Sequence, residues 1–416
     1  MEASAPPPPI RSWDRSRKAP DAMPSHRMRG LSVVAFSFGL AFTALPAHAS
    51  LSSSTLSSSI SHRIAGSGTN AVPGTNAVPA INAVPAINYL ARGHLAAEWQ
   101  GSQLRHGRIP GFSPGNPDWG LTIDTAFMLA AEGTQATILA EVKKAIAGHI
   151  LDYAVYQGDT ASGAMAKALL VSEVLKGDPT NFGGLNLRKR VLKLVAPPSA
   201  GFEAGRLRDT GKTDYSNVFG QSYGTIGLAR SGKIPQSVVD YLVKQHCADG
   251  YFRLFETAGE TCDQSGSNPD VDATALAMQA LIAAKADGAT VSHQLIVNTT
   301  TWLISVQSAD GSYSEDATGD APSSNSTGLA ANALFAAEHN SPRLKAAAYV
   351  AGMQLTKANA GNGPAKPDIG AIAFDPAALA DAIANGLGDN RSQWWRVAPQ
   401  AFFAFVPSPL GTLTAP

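Results

Sequence analysis

Aromatic residues make up only 7% of this 416-residue sequence, and charged residues only 15%. Acidic and basic side chains balance at 32 each. With no net charge and no basic stripe, a nucleic-acid partner is not expected. Scarce aromatics also count against a chamber that steadies carbocations on π faces. Cysteine is nearly missing, with Cys247 and Cys262 the two in the chain. A zinc site using them and the adjacent His246 would need a second Cys-rich cluster to complete a tetrahedron, and none occurs. In an exported chain the pair reads instead as one disulfide closing a loop of about 16 residues, worth ~3 kcal/mol in the chain-entropy model. Long apolar runs are absent too. The run from Leu31 to Leu45 is too short for a comfortable membrane span. It follows Met28 and Arg29 and precedes Pro46-Ala47-His48-Ala49, so it reads as a signal peptide cut near Ala49–Ser50. Met23 and Met28 both remain candidate starts. The mature chain is then expected to be secreted or held at the cell surface, without a transmembrane segment. Neither a sorting motif nor a hydrophobic C-terminal tail is there to hold it.

Against these absences, the apolar fraction is 44% and Ala and Gly are frequent. That composition belongs to a tightly packed domain, not to a disordered chain. Four parts are expected: a signal region over 1–49, a linker over 50–87, a folded domain over 88–410 and a tail over 411–416. The linker is Ser-rich and then carries NAVPGT, NAVPAI and NAVPAI from Asn70, Asn76 and Asn82. Proline at that interval cannot sit inside a helix.

From Asn88 onward, small apolar segments recur with helical periodicity. They begin at Asp124, Ser162, Ser222, Asp272, Ser326 and Ala398. The first five start on a residue whose side-chain oxygen can cap a helix. Several are apolar on nearly every face, which requires burial all round. Between them lie amphipathic stretches from Ile138, Pro235, Ser292 and Pro342. Alternation of a fully buried helix with a half-polar one is what two concentric rings of helices need. An open solenoid would need polar capping repeats, and none stands out. The expected fold is all-α, a single closed ring of about six helical hairpins.

Two amphipathic helices share an ending. Gln245 leads to Asp249-Gly250-Tyr251-Phe252, and Gln307 to Asp310-Gly311-Ser312-Tyr313. The Gln can bond backbone groups left open by the ending helix, and Gly supplies a positive φ in the turn. At these residues the chain resembles the squalene cyclase and protein prenyltransferase superfamily, the α/α-toroid proteins, with Tyr where the repeat usually has Trp. PDVDATALAMQAL from Pro269 looks like the inner-helix start of that superfamily, which includes vitamin B12 carrier proteins. Asp118-Trp119 and the residues on to Asp124 look like the opening of exported bacterial toroid proteins.

The resemblance implies possible chemistries. Protonation-initiated cyclases use a D-x-D-D-T motif with the central Asp as general acid. Here Asp270-Val271-Asp272-Ala273-Thr274 keeps the first and central acids and loses the last. Asp272 would have to be kept protonated by burial and a partner. The plainer reading is that Asp272 and Asp124 cap helices and Asp270 caps a turn. Zinc-dependent prenyl transfer is not expected, because Ala or Leu stands where that family has Cys, and no metal or other cofactor is expected. Polysaccharide hydrolysis would need two opposed carboxylates from among Asp118, Asp124, Glu203 and Asp272, and spacing singles out no pair. The leading expectation is an exported, non-catalytic binding or scaffold protein for an unknown small molecule or cell-surface ligand. That ligand would be polar or anionic and held at the ring mouth by Asp118, Trp119, Asp124, Tyr223, Asp270, Asp272 and Asn325. A corrinoid is one candidate by analogy with the B12 carriers, although their accompanying β-rich domain is missing. A cyclase using Asp272 is the alternative.

Overall fold

The computed structural model describes residues 87–416 apart from 112 and 114. The signal region, the Ser-rich stem and nearly all of the hexapeptide tract lie outside the described residues. In chain order the helices are α1 (Tyr89–Ser102), α2 (Trp119–Glu132), α3 (Ala136–Gly148), α4 (Ile150–Ala154), α5 (Ser162–Val174), α6 (Leu187–Leu194), α7 (Val218–Arg230) and α8 (Gln236–Val243). They continue as α9 (Cys262–Ser265), α10 (Val271–Ala286), α11 (His293–Ser305), α12 (Ser324–Ala336), α13 (Asn340–Gly352), α14 (Lys357–Ala360), α15 (Pro376–Asn385) and α16 (Arg391–Ala401). Two short antiparallel hairpins interrupt them. Val155–Tyr156 pairs with Asp159–Thr160, and Tyr313–Ser314 with Pro322–Ser323.

Six of these helices close on themselves. α2 packs on α5, α5 on α7, α7 on α10, α10 on α12, α12 on α16, and α16 back on α2. The first five carry the apolar segments that begin at Asp124, Ser162, Ser222, Asp272 and Ser326, and the sixth segment, from Ala398, starts in the last turn of α16 and runs past its end. α5 buries twelve of its thirteen residues. α3, α6, α8, α11 and α13 each pack against an inner helix from outside, and α1 covers α2 and α16. Trp394 is buried beside Trp99, and the Trp395 indole donates to Gln103 Oε1, so the aromatic pair seals the junction of α16 with α1.

The shared endings work as turns between outer helices. Gly311 has φ 94°, and a Cβ there would press into the Lys345 carbonyl of α13. Gly370 has φ 106° and sits the same way against Leu95 of α1, which closes the outer ring. Gln307 donates to the Gly311 and Pro342 carbonyls, and Gln354 to those of Gly370 and Arg92. Two residues beyond Gly107, Gly250 and Gly311, a backbone N–H is taken by the fourth residue of an inner helix. Ile109 donates to Thr122, Phe252 to Thr274, and Tyr313 to Thr327. Those hydroxyls donate in turn to the carbonyls of Asp118, Asp270 and Ser323, each at 2.6 Å. The capping residues therefore differ from the sequence expectation. Asp118, Asn217, Asp270 and Ser323 are the N-caps, while Asp124, Ser222, Asp272 and Ser326 lie inside their helices.

The end of the chain crosses the C-terminal ends of the inner helices. Ser408 and Asn332 exchange hydrogen bonds, Leu410 N–H donates to Gln279, Arg230 donates to the Leu410 carbonyl, and Ala415 N–H to the Val174 carbonyl. Leu410, Leu413 and Ala415 are buried there. Residues 411–416 are thus part of the packed ring, across the end opposite the N-caps.

Candidate functional site

At the N-terminal end, each inner helix supplies a polar side chain to one linked set. α5 is the most telling. In SGAMAKALLVSEV, Lys167 stands at a position that packing alone would give to an apolar residue. Its ammonium lies 2.6 Å from Asp124 Oδ1 on α2, donates to the Gly120 carbonyl at 3.1 Å, and sits 5.4 Å from the Tyr223 ring centroid on α7. Burial raises the Asp124 carboxyl, and Lys167 opposes that shift. Tyr223 is held well above its ordinary range by burial, with Asp124, Tyr153 of α4 and Asp272 of α10 adding to it. Both phenols therefore stay protonated, since burial, with Asp124 and Asp118, also raises Tyr153.

The set continues around the ring. Asp272 is 4% exposed, and its Oδ1 is buried without a hydrogen-bond partner. Burial holds it well above the usual carboxylate range, Asp270 and Glu315 push it further, and a hydrogen bond from Ser326 of α12 opposes them. Asp270 is pushed up to about 7 by burial, against its hydrogen bond from Ala273 N–H at 2.7 Å. Next on α12, Asn325 donates to Gln400 Oε1 at 2.6 Å and to the Arg396 carbonyl. Arg396 of α16 closes the circle with a 2.7 Å ion pair to Asp118, the cap of α2.

Of the residues expected at the mouth, Asp118, Asp124, Tyr223, Asp270, Asp272 and Asn325 thus belong to this annulus. Trp119 instead stacks on His149 at 4.5 Å, nearly buried. The capping role expected for Asp124 and Asp272 falls to Asp118 and Asp270, one turn or less upstream. Within the D-x-D-A-T segment, Asp270 caps and Thr274 ties the loop. Asp272 does neither. Glu203 joins a separate cluster, pairing with Arg206, which also binds the fully enclosed Glu256 at 2.8 Å. That cluster braces the loop closed by the Cys247–Cys262 disulfide. Lys167, Tyr153, Arg396, Ser326 and Gln400 were missed by the sequence reading. A lone lysine in an otherwise apolar helix was the legible signal. Among the described residues no group of three or more His, Cys, Asp or Glu is placed to hold a metal ion.

No family model and no curated protein matches the chain. Solved structures do. The apo type II terpene cyclase MstE from Scytonema superposes with a TM-score of 0.53 over 78% of this chain and 100% of its own, at 13% identity. A UGL variant with dGlcA-Glc-Rha-Glc gives 0.50 over 79% and 98%, at 9% identity. The chain is an α/α toroid. At such identities the toroid likeness carries architecture alone. Candida albicans protein geranylgeranyltransferase-I with GGPP is also similar, at a TM-score of 0.49 and 12% identity, over 77% of this chain and 95% of its own.

Proposed function

We propose that this toroid is an exported binding protein that takes a polar ligand into the mouth ringed by the N-termini of its inner helices. The observation that carries the reading is Lys167. A buried ammonium costs several kcal/mol of desolvation, and a Leu or Met there would pack as well or better. Fold stability thus gives no reason for the Lys167–Asp124 pair, whereas buried, perturbed polar groups gathered in one place are characteristic of functional sites. The two phenols, Asn325, Gln400 and Arg396 supply donors and acceptors around it. The far end of the ring is crossed by the chain's own last residues, so the ligand is assigned to the N-cap end, here called the cup. Export is supported by the disulfide, which suits an oxidising compartment. Among the described residues no helix is long and apolar enough to cross a membrane.

The test is a thermal-shift screen of the full chain against neutral oligosaccharides, uronic acids, nucleosides, a corrinoid and polyprenyl diphosphates. A ligand at a hundredfold excess over its Kd adds about 2.7 kcal/mol of stability. Lys167→Met should abolish that shift, and a screen in which nothing stabilises the wild type would overturn the reading. A second reading is a cyclase with Asp272 as proton donor. It is favoured by a buried carboxyl, held well above its ordinary range by burial and Asp270, that neither caps nor braces. Against it stand Ala273 in place of the third acid and the enclosure of Asp272 in the wall, since a donor must reach its acceptor. Polyprenyl substrates incubated with wild type and Asp272→Asn decide it, and absence of cyclised product from the wild type removes it.

A further inference from the structure

Three aromatic side chains stand out from the surface: Tyr156 is 76% exposed, Phe255 73% and Tyr215 62%. They lie far apart in sequence, yet the fold gathers their segments beside the N-termini of α5 and α7. Tyr156 sits in the hairpin that leads into α5. That hairpin is bonded through Thr160 to Thr210 in both directions. Asp209 accepts from Ser162 N–H at the start of α5 with one oxygen and from Tyr215 N–H with the other. Asn217, the cap of α7, bridges to Phe255, and Val218 N–H donates to the Leu254 carbonyl. The segments that carry the three exposed rings therefore share one sector of the rim, beside the first turns of the helices that carry Lys167 and Tyr223. Each of those two residues lies five positions past its helix start, about 8 Å down at 1.5 Å per residue.

We infer that the ligand is a neutral glycan chain whose end enters the cup and whose following sugars stack on Tyr156, Tyr215 and Phe255. This deepens the binding reading and rests on it. Exposed rings with an apolar face suit the C–H face of a pyranose, since aromatic side chains offer large, rigid contact area. The cup offers alternating donors and acceptors, as a polyol requires, and its cations are each set against a carboxylate, Lys167 with Asp124 and Arg396 with Asp118. The rim itself carries Asp159, Asp209 and Asp214 beside Arg208 and Lys212, and Arg208 is paired to Asp214. That balance offers no basic patch for an anionic bilayer or an acidic polymer.

The experiment measures affinity of the full chain for neutral oligosaccharides of one to six hexoses and for β-glucan, mannan and starch. Polygalacturonate and phosphatidylcholine–phosphatidylglycerol vesicles are the contrasting probes. Wild-type affinity for at least one neutral series should rise tenfold or more with chain length. The triple variant Tyr156→Ala/Tyr215→Ala/Phe255→Ala should lose that rise while keeping the affinity for the shortest sugar, and its melting temperature should match the wild type because the side chains are exposed. Lys167→Met should lose binding of both short and long sugars. The inference is overturned if the triple variant binds long chains like the wild type. It is overturned equally if polygalacturonate or vesicles bind and neutral sugars do not. Should Lys167→Met abolish binding of a different class of ligand, the glycan assignment fails while the cup stands. If it leaves all binding intact, the cup reading fails as well.

Discussion

Lys167→Met tests the centre of the cup without any ligand. In the wild type the ammonium and the Asp124 carboxylate are 2.6 Å apart, with side chains only 10% and 20% exposed. A buried pair of this kind roughly offsets its own desolvation, and the penalty arises when one partner is left alone. Deprived of Lys167, Asp124 escapes that penalty by taking up a proton. Its cost is then the work of protonating a carboxyl whose ordinary value is 3.8. At about 1.4 kcal/mol per pH unit, that is at most about 4 kcal/mol against wild type at pH 7 and at most about 2 kcal/mol at pH 5, because burial already raises Asp124 in the wild type. The sign follows from linkage. The folded variant holds a proton that its unfolded chain has released, so its stability falls as pH rises above 3.8, and its deficit against wild type widens once pH passes the raised Asp124 value of the wild type. Urea unfolding at several pH values between 5 and 8 measures the slope. Asp124→Asn/Lys167→Met has no stranded charge and should recover to within about 1 kcal/mol of wild type. A single variant within about 0.5 kcal/mol of wild type at pH 7, or one whose deficit does not change with pH, would refute the buried pair.

Further outcomes test the surrounding frame. Because Asp272 is raised by burial and by Asp270, the wild type should lose stability as pH climbs above 3.8. Asp272→Asn should therefore be the more stable form at pH 8 and equal to wild type near pH 4, as followed by melting temperature; the opposite trend would mean an ionised, well-solvated carboxylate. Gly311→Ala forces a positive φ on alanine against the Lys345 carbonyl and should cost at least about 2 kcal/mol in chemical unfolding. Gly352→Ala, at the last residue of α13 with open space around it, should instead stabilise by about 0.4–1 kcal/mol through the unfolded chain. Reducing Cys247–Cys262 should lower stability by about 3 kcal/mol, read by unfolding with and without reductant.

Much of the architecture was legible because the inner helices announce themselves. A helix touched on all sides must be apolar on all sides, and α5, α10 and α12 are nearly so. The half-polar outer partners α3, α8, α11 and α13 were equally readable. α6 was not, since eight residues reading LRKRVLKL carry too much charge to suggest a packed element. Helix starts were placed late at Asp124, Ser222, Asp272 and Ser326, because any Ser or Asp ahead of an apolar run looks like a cap. Which one caps depends on where the backbone turns. The site was half legible: Asp118, Asp124, Tyr223, Asp270, Asp272 and Asn325 could be named, but not that Lys167 and Arg396 would meet two of them.

Periodicity, capping residues and turn glycines are local properties, written within a few residues of one another, and they alone determined that this chain forms alternating inner and outer helices. Contacts between positions such as Asp118 and Arg396, 278 residues apart, were decided only when the ring closed. Packing of α5 against α7 brought the segments of Tyr156, Tyr215 and Phe255 to one rim, and the closed ring let the last residues cross the far end. Partners separated by most of the chain leave no pattern in the sequence between them, so their meeting can be read only from the packed ring.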